Sequence, residues 1–243
     1  MARSFARLAL AASVAVALAG PAAAFDHARL AGVLSHTEAG KVDYSAIRAR
    51  QPELEAYLDS VAAASGPQKL GFYLNAYNAL VIQALLAQPT LPAKVTDVDG
   101  FFDGKKHSVG GRSLTLNELE TMVRTTWRDP RIHFALNCGA VSCPPLRAVP
   151  FPEDEVALNT VLSDLTTKFL NGSGFSVDES RRELVVTRLM DWYKDDFIAQ
   201  EGSVENYLRK WVTDARKKAQ LESGLAAGYA LTFQAYDWRP NNR

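Results

Sequence analysis

The stretch FYLNAYNALVIQALL, residues 72–86, is apolar at every position except Asn75, Asn78 and Gln83. A helix that is apolar around its whole circumference is stable only where other elements cover every side, so this segment reads as the buried spine of the core. Asn75 and Asn78 stand three residues apart and share nearly one face of that helix. A buried amide without partners costs about 1–3 kcal/mol, so both need something to bond. The plainer role is to hold the backbone of a neighbouring loop. The functional role is to orient a catalytic histidine, or to donate to a developing oxyanion. Either role requires the loop from Cys138 to Cys143 to lie beside the helix, and that proximity is expected.

Outward from the spine, the pattern alternates between helices and short strands. On the N-terminal side, helical spacing from Tyr44 to Ala64 is broken at Gln51-Pro52, where proline suits the start of a second helix. On the C-terminal side, VTDVDGFFDGKKHSVGGRSL carries Asp-Gly and Gly-Gly turn signals, with His107 read as part of a solvated hairpin tip. Thr115 with Glu118 three residues on is a capping-box start, and that helix runs to about Trp127, with Glu120 and Arg124 spaced to pair along it. RIHFALNC, 131–138, alternates like a strand, which sets His133 and Asn137 on one face and Cys138 on the other. Beyond it come a helix from about Val156 to Phe169, a hairpin of Gly174–Val177 with Leu184–Thr187, a Ser203-capped helix from Val204 to about Lys218, and a final strand LTFQAY. Without regular βαβ repetition the fold class is α+β: one domain, a mainly antiparallel sheet packed with helices around one buried central helix.

The N-terminus has the three parts of an export signal. Arg3 and Arg7 precede an apolar run from Leu8 to Ala19, and Ala22-Ala23-Ala24 offers a small-residue exit. The run is shorter than the roughly 20 apolar residues of a membrane anchor. Residues 1–24 are therefore expected to be a cleaved signal peptide, with 25–243 a soluble domain in the periplasm or secreted. Cleavage removes two of 27 basic residues and none of 27 acidic ones, leaving a formal charge of −2. That balance argues against nucleic acid and anionic membrane surfaces as partners.

The segments GKVDYSAI, FYLNAYNALVIQALL, RSLTLNELE, DPRIHFALNCGAVSCPPL, LMDWYKDDF and QAYDWRPN resemble, in order, the motifs of the family called domain of unknown function 547. The resemblance covers about residues 40–241. It implies a domain identity and an extracytoplasmic role in bacteria, and no established reaction; Glu120 matches a glutamate of that family.

The chemistry must then be argued from side chains. Cys138 and Cys143, with four residues between them, have three readings. An oxidising compartment favours a small disulfide. A reactive site would make Cys143 a thiolate nucleophile and His133 its base, with Asn75 and Asn78 assisting, and would need the thiol lowered from its free pKa of about 8.5. A metal site needs more ligands than two cysteines and one histidine, so no metal and no cofactor is expected. Papain-like and transglutaminase-like enzymes place a cysteine at the start of a buried helix and a histidine on a later strand. Here the helix starts Phe72-Tyr73-Leu74-Asn75 without a thiol, so the analogy is one of fold level only.

Two functions from different classes stay open, and whether the chain is an enzyme is open with them. The first is a module that binds a peptide or cell-envelope fragment, with Arg131, Tyr73, Asn137, Cys138 and Trp238 as ligand contacts and His133 nearby. The second is a cysteine-dependent amide hydrolase or acyl transferase using Cys143 and His133. Trp192, Tyr193 and Tyr236 are further aromatic residues able to line a groove.

Overall fold

The computed structural model describes residues 24–243; the export signal read in residues 1–24 lies, but for Ala24, outside them. Helix α1 (Ala28–Leu34), the β1–β2 hairpin (Thr37–Glu38 and Lys41–Val42), α2 (Tyr44–Arg48) and α3 (Gln51–Ala63) lead into α4 (Leu70–Leu86). As expected, α4 is the spine: fifteen of its seventeen residues are buried. It enters the core tightly, because a Cβ on Gly71 would run into the Pro152 carbonyl oxygen. The Gln51-Pro52 break falls at the first turn of α3.

After a 3-10 turn (Val95–Asp97) comes the hairpin of β3 (His107–Val109) and β4 (Arg112–Leu114), turned by Gly110-Gly111. The Asp-Gly pairs form turns without strands, and His107 is not at a solvated tip. It is 8 % exposed, paired across from Leu114. Helix α5 (Leu116–Trp127) opens with the expected reciprocal Thr115–Glu118 capping box.

The expected strand at Arg131–Cys138 is not formed. Pro130–Phe134 is a 3-10 helix, capped by the Asp129 carboxylate accepting from Arg131 N–H at 2.9 Å. The Asp-Pro pair opens a helical turn, and the apolar alternation reflects something else: Ile132 packs in one apolar cluster and Phe134 in another. The two-face assignment of His133, Asn137 and Cys138 falls with the strand.

Helix α6 (Glu155–Asn171) contributes Leu158 and Leu162 to the first cluster and Phe169 and Leu170 to the second, so it joins them. The second cluster packs under a three-stranded sheet of β5 (Phe175–Asp178), β6 (Glu183–Val186) and, parallel to β6, β7 (Ala230–Phe233). Between β6 and β7 lie α7 (Leu189–Trp192), α8 (Lys194–Glu201), α9 (Val204–Trp211) and α10 (Ala215–Ala226). The single helix expected from Val204 to Lys218 is two, because Asp214 caps a new start and Asn171 Oδ1 holds the Thr213 and Asp214 N–H groups at the bend. The class is α+β in one domain; apart from the β6–β7 pair the strand pairing is antiparallel, divided among three small sheets. Among the described residues no helix is long and apolar enough to cross a membrane.

The last residues leave β7 as an extended strap. Val95 N–H donates to the Trp238 carbonyl, Val141 N–H to that of Arg239, Asn241 N–H to that of Gly139, and Val42 N–H to that of Asn241. The strap thereby ties the loop 138–143 to the N-terminal hairpin.

Candidate functional site

The two asparagines of α4 each pin a segment of backbone. Asn75 closes both backbone groups of Phe151, donating to its carbonyl at 2.9 Å and accepting from its N–H at 2.7 Å. Asn78 donates to the Ala135 carbonyl at 3.0 Å and accepts from Asn137 N–H at 2.8 Å. The 138–143 loop thus lies against α4, as expected: a Cβ on Gly139, whose φ is +81°, would stand 2.8 Å from Leu85. Both asparagines hold loops and neither reaches the cavity described next.

That cavity, of about 210 Å³, opens where the two apolar clusters meet. Phe102, Trp192, Tyr236 and Trp238 supply aromatic wall; Tyr77, Asn117, Glu120, His133 and Tyr193 supply polar groups; Leu136, Leu189, Pro144 and the two cysteines complete it. The Trp192 and Trp238 rings stack at 5.7 Å between centroids, and Tyr236 lies 4.7 Å from Trp192 and 4.6 Å from Trp238. Every lining residue except Phe102 belongs to a segment that carries the family resemblance.

Three charged groups sit around it. Asp196, in the first turn of α8, accepts from His133 Nε2 at 2.8 Å and from Arg124 Nε at 2.8 Å. These donors, His133 first, hold its pKa down at about 2. A carboxylate partner requires the proton on Nε2, which leaves Nδ1 as the basic nitrogen of a neutral ring. Burial lowers the His133 pKa, and the Asp196 hydrogen bond offsets part of that. The ring stacks on Tyr193 at 4.0 Å, and the Arg124 guanidinium carbon lies 4.6 Å from the centre of the same phenol ring. The expected Glu120–Arg124 pairing is therefore replaced: Arg124 goes to Asp196. Glu120 instead faces the phenols Tyr77 and Tyr193, whose pKa values are raised by burial first and by this carboxylate second.

Cys138 and Cys143 are joined as a disulfide in the cavity wall, with sulfurs 2.03 Å apart. Tyr236 Oη lies 3.2 Å from Cys138 Sγ and 3.1 Å from Cys143 Sγ, and Cys138 N–H donates to Cys143 Sγ at 3.0 Å. Disulfide sulfurs carry no proton, so the tyrosine is the donor.

The candidates read from the sequence thus divide. His133, Cys138, Cys143 and Trp238 meet at the cavity. Tyr73 is buried against Phe72 and Trp127. Asn137 is a clamp, donating to the Pro144 carbonyl and accepting from Gly139 N–H and Asn241 Nδ2. Arg131 is held by Asp129, Asn159 and Ser163 and lines a different groove. Asp196 was missed, since nothing in LMDWYKDDF singles it out from Asp191 and Asp195. Among the described residues no three His, Cys, Asp or Glu side chains are grouped as a metal-ligand set.

No curated protein and no solved structure matches the chain. Residues 61–170, which span α4, α5, the His133 turn and the disulfide loop, match the family described as "Protein of unknown function, DUF547", and the match supports the family resemblance carried by the sequence motifs.

Proposed function

We propose that the chain is an exported binding module that takes a peptide, or a peptide-bearing fragment of the cell envelope, into the aromatic cavity. The observation that carries this reading is the wall of Trp192, Tyr236 and Trp238 beside the Glu120 carboxylate. Aromatic faces and a carboxylate in a small recess favour a ligand group with an apolar or cationic character, and an amine on that group would be drawn to Glu120 and to the ring faces. A tryptophan-fluorescence titration with short amine-bearing peptides tests it. Trp238→Ala or Glu120→Gln should weaken binding at least about tenfold, a loss of about 1.4 kcal/mol, and N-acetylation of the peptide should do the same. Unchanged affinity in both variants would remove the reading. Export is checked separately: the mature protein recovered outside the cytoplasm should begin at Phe25 by mass.

A second reading has one observation in its favour. His133, hydrogen-bonded to Asp196, lines the same cavity as Cys143, so a reduced Cys143 with His133 as base would make a thiol hydrolase. Amide turnover that appears only after reduction and is lost in His133→Ala would select it over the binding module.

A further inference from the structure

The disulfide is placed as a reactant is placed. A structural bridge is most protected when both cysteines are buried in apolar contacts; here the two residues differ in burial. Cys138 is half-buried, whereas Cys143 is buried at 7 % exposure, and both line the cavity. Two hydrogen-bond donors converge on Cys143 Sγ, the Cys138 N–H at 3.0 Å and the Tyr236 hydroxyl at 3.1 Å. Among the described residues only the tyrosine reaches Cys138 Sγ, at 3.2 Å. In thiol–disulfide exchange the sulfur that leaves gains negative charge, and donors aimed at that sulfur speed its departure. Tyr236 keeps its proton at neutral pH, and burial raises its pKa further, so the donor is available.

We infer that the Cys138–Cys143 disulfide is an exchange centre for thiols that enter the aromatic cavity, with Cys138 the sulfur attacked and Cys143 the sulfur released. The thiolate of the incoming molecule forms a bond to Cys138 Sγ; the Cys138–Cys143 bond breaks, and its electron pair goes to Cys143 Sγ, held by the Tyr236 hydroxyl and the Cys138 N–H. The product is a mixed disulfide on Cys138. A second thiol attacks the external sulfur of that adduct and releases Cys138 as thiolate. Two thiols are oxidised to one disulfide, the protein disulfide is reduced to two thiols, and the two protons from the incoming thiols end on the cysteine sulfurs. The inference goes beyond the binding reading and rests on the sulfur contacts: loss of peptide affinity in Trp238→Ala leaves it standing, and failure of exchange leaves peptide binding standing.

The experiment uses the full mature chain, folded and oxidised, incubated with reduced glutathione, quenched in acid and mapped by peptide mass. The adduct should lie on Cys138, in at least about tenfold excess over Cys143, because only a leaving Cys143 meets both donors. In Tyr236→Phe, opening of the disulfide by glutathione should slow by about tenfold, the loss of one hydrogen bond to a charged sulfur. In the reduced wild type, thiolate absorbance against pH should place Cys143 below the free value of about 8.5, and Tyr236→Phe should raise it again. An adduct mainly on Cys143, or a disulfide that reacts only in denaturant, overturns the proposal. The adduct map on the wild type decides it alone where the variant does not fold.

Discussion

Asn78 holds a carbonyl and an N–H that belong to different residues of one irregular segment, at Ala135 and Asn137. Its replacement by alanine leaves both groups buried without a partner, so Asn78→Ala should destabilise the fold by about 1–3 kcal/mol in urea unfolding, with little change in the slope against denaturant. His133 and Asp196 make the molecule sensitive to acid in two windows. The unfolded histidine takes a proton near 6.5, which the buried ring resists, so stability should begin to fall as pH drops below about 6.5. Asp196 is held down at about 2 against an ordinary 3.8. Its contribution is complete above the ordinary value and is lost as pH falls from about 4 through about 2. Thermal unfolding of Asp196→Asn against pH should show a shallower lower limb than the wild type, since Asp43, Glu118, Asp178 and Asp237 are also held below their ordinary values; a limb unchanged in the variant would assign it to those carboxylates.

At the scale of elements, the 3-10 helix Pro130–Phe134 is the piece that carries His133 to the cavity. It is fastened to α6 by Arg131, whose guanidinium joins Asp129 to Asn159 and Ser163. Arg131 is thus a positioning residue. Arg131→Ala should cost about 1–3 kcal/mol of stability while peptide affinity, measured below the unfolding transition, stays within about twofold, or about 0.4 kcal/mol. A loss of affinity without a loss of stability would return Arg131 to the ligand-contact role read from its charge alone. Helix α8 supplies the other half of the site. Its first turn brings Asp196 to His133 and Arg124, a position where a carboxylate also faces the positive end of the helix.

At the scale of the whole molecule, the C-terminal strap completes the cavity and braces the disulfide loop from outside, while α4 braces it from within. Removing residues 235–243 takes away Tyr236 and Trp238 and frees backbone groups at Val42, Val95, Gly139, Val141 and Ser142. Hydrogen exchange should then accelerate across 138–143 by at least about tenfold, with the distant β5–β6 hairpin unchanged. Equal protection in both forms would mean that α4 alone sets the loop.

The sequence by itself determined the buried spine, the α+β class, the Thr115 capping box and the β5–β6 hairpin, because each rests on a local pattern: an unbroken apolar circumference, a cap at fixed spacing, an alternation of two. It also marked the motifs whose residues line the cavity. The chain near His133 was misread, since alternating apolar residues look the same whether they enter one sheet or two separate clusters, and only the packed structure separates Ile132 from Phe134. Arg131 likewise had a charge visible in the sequence and partners visible only in the fold. The meeting of Glu120, His133, Asp196, Tyr236 and the disulfide joins segments up to 116 residues apart; no spacing encodes such a meeting, because it is set by how the helices and the strap close over the core.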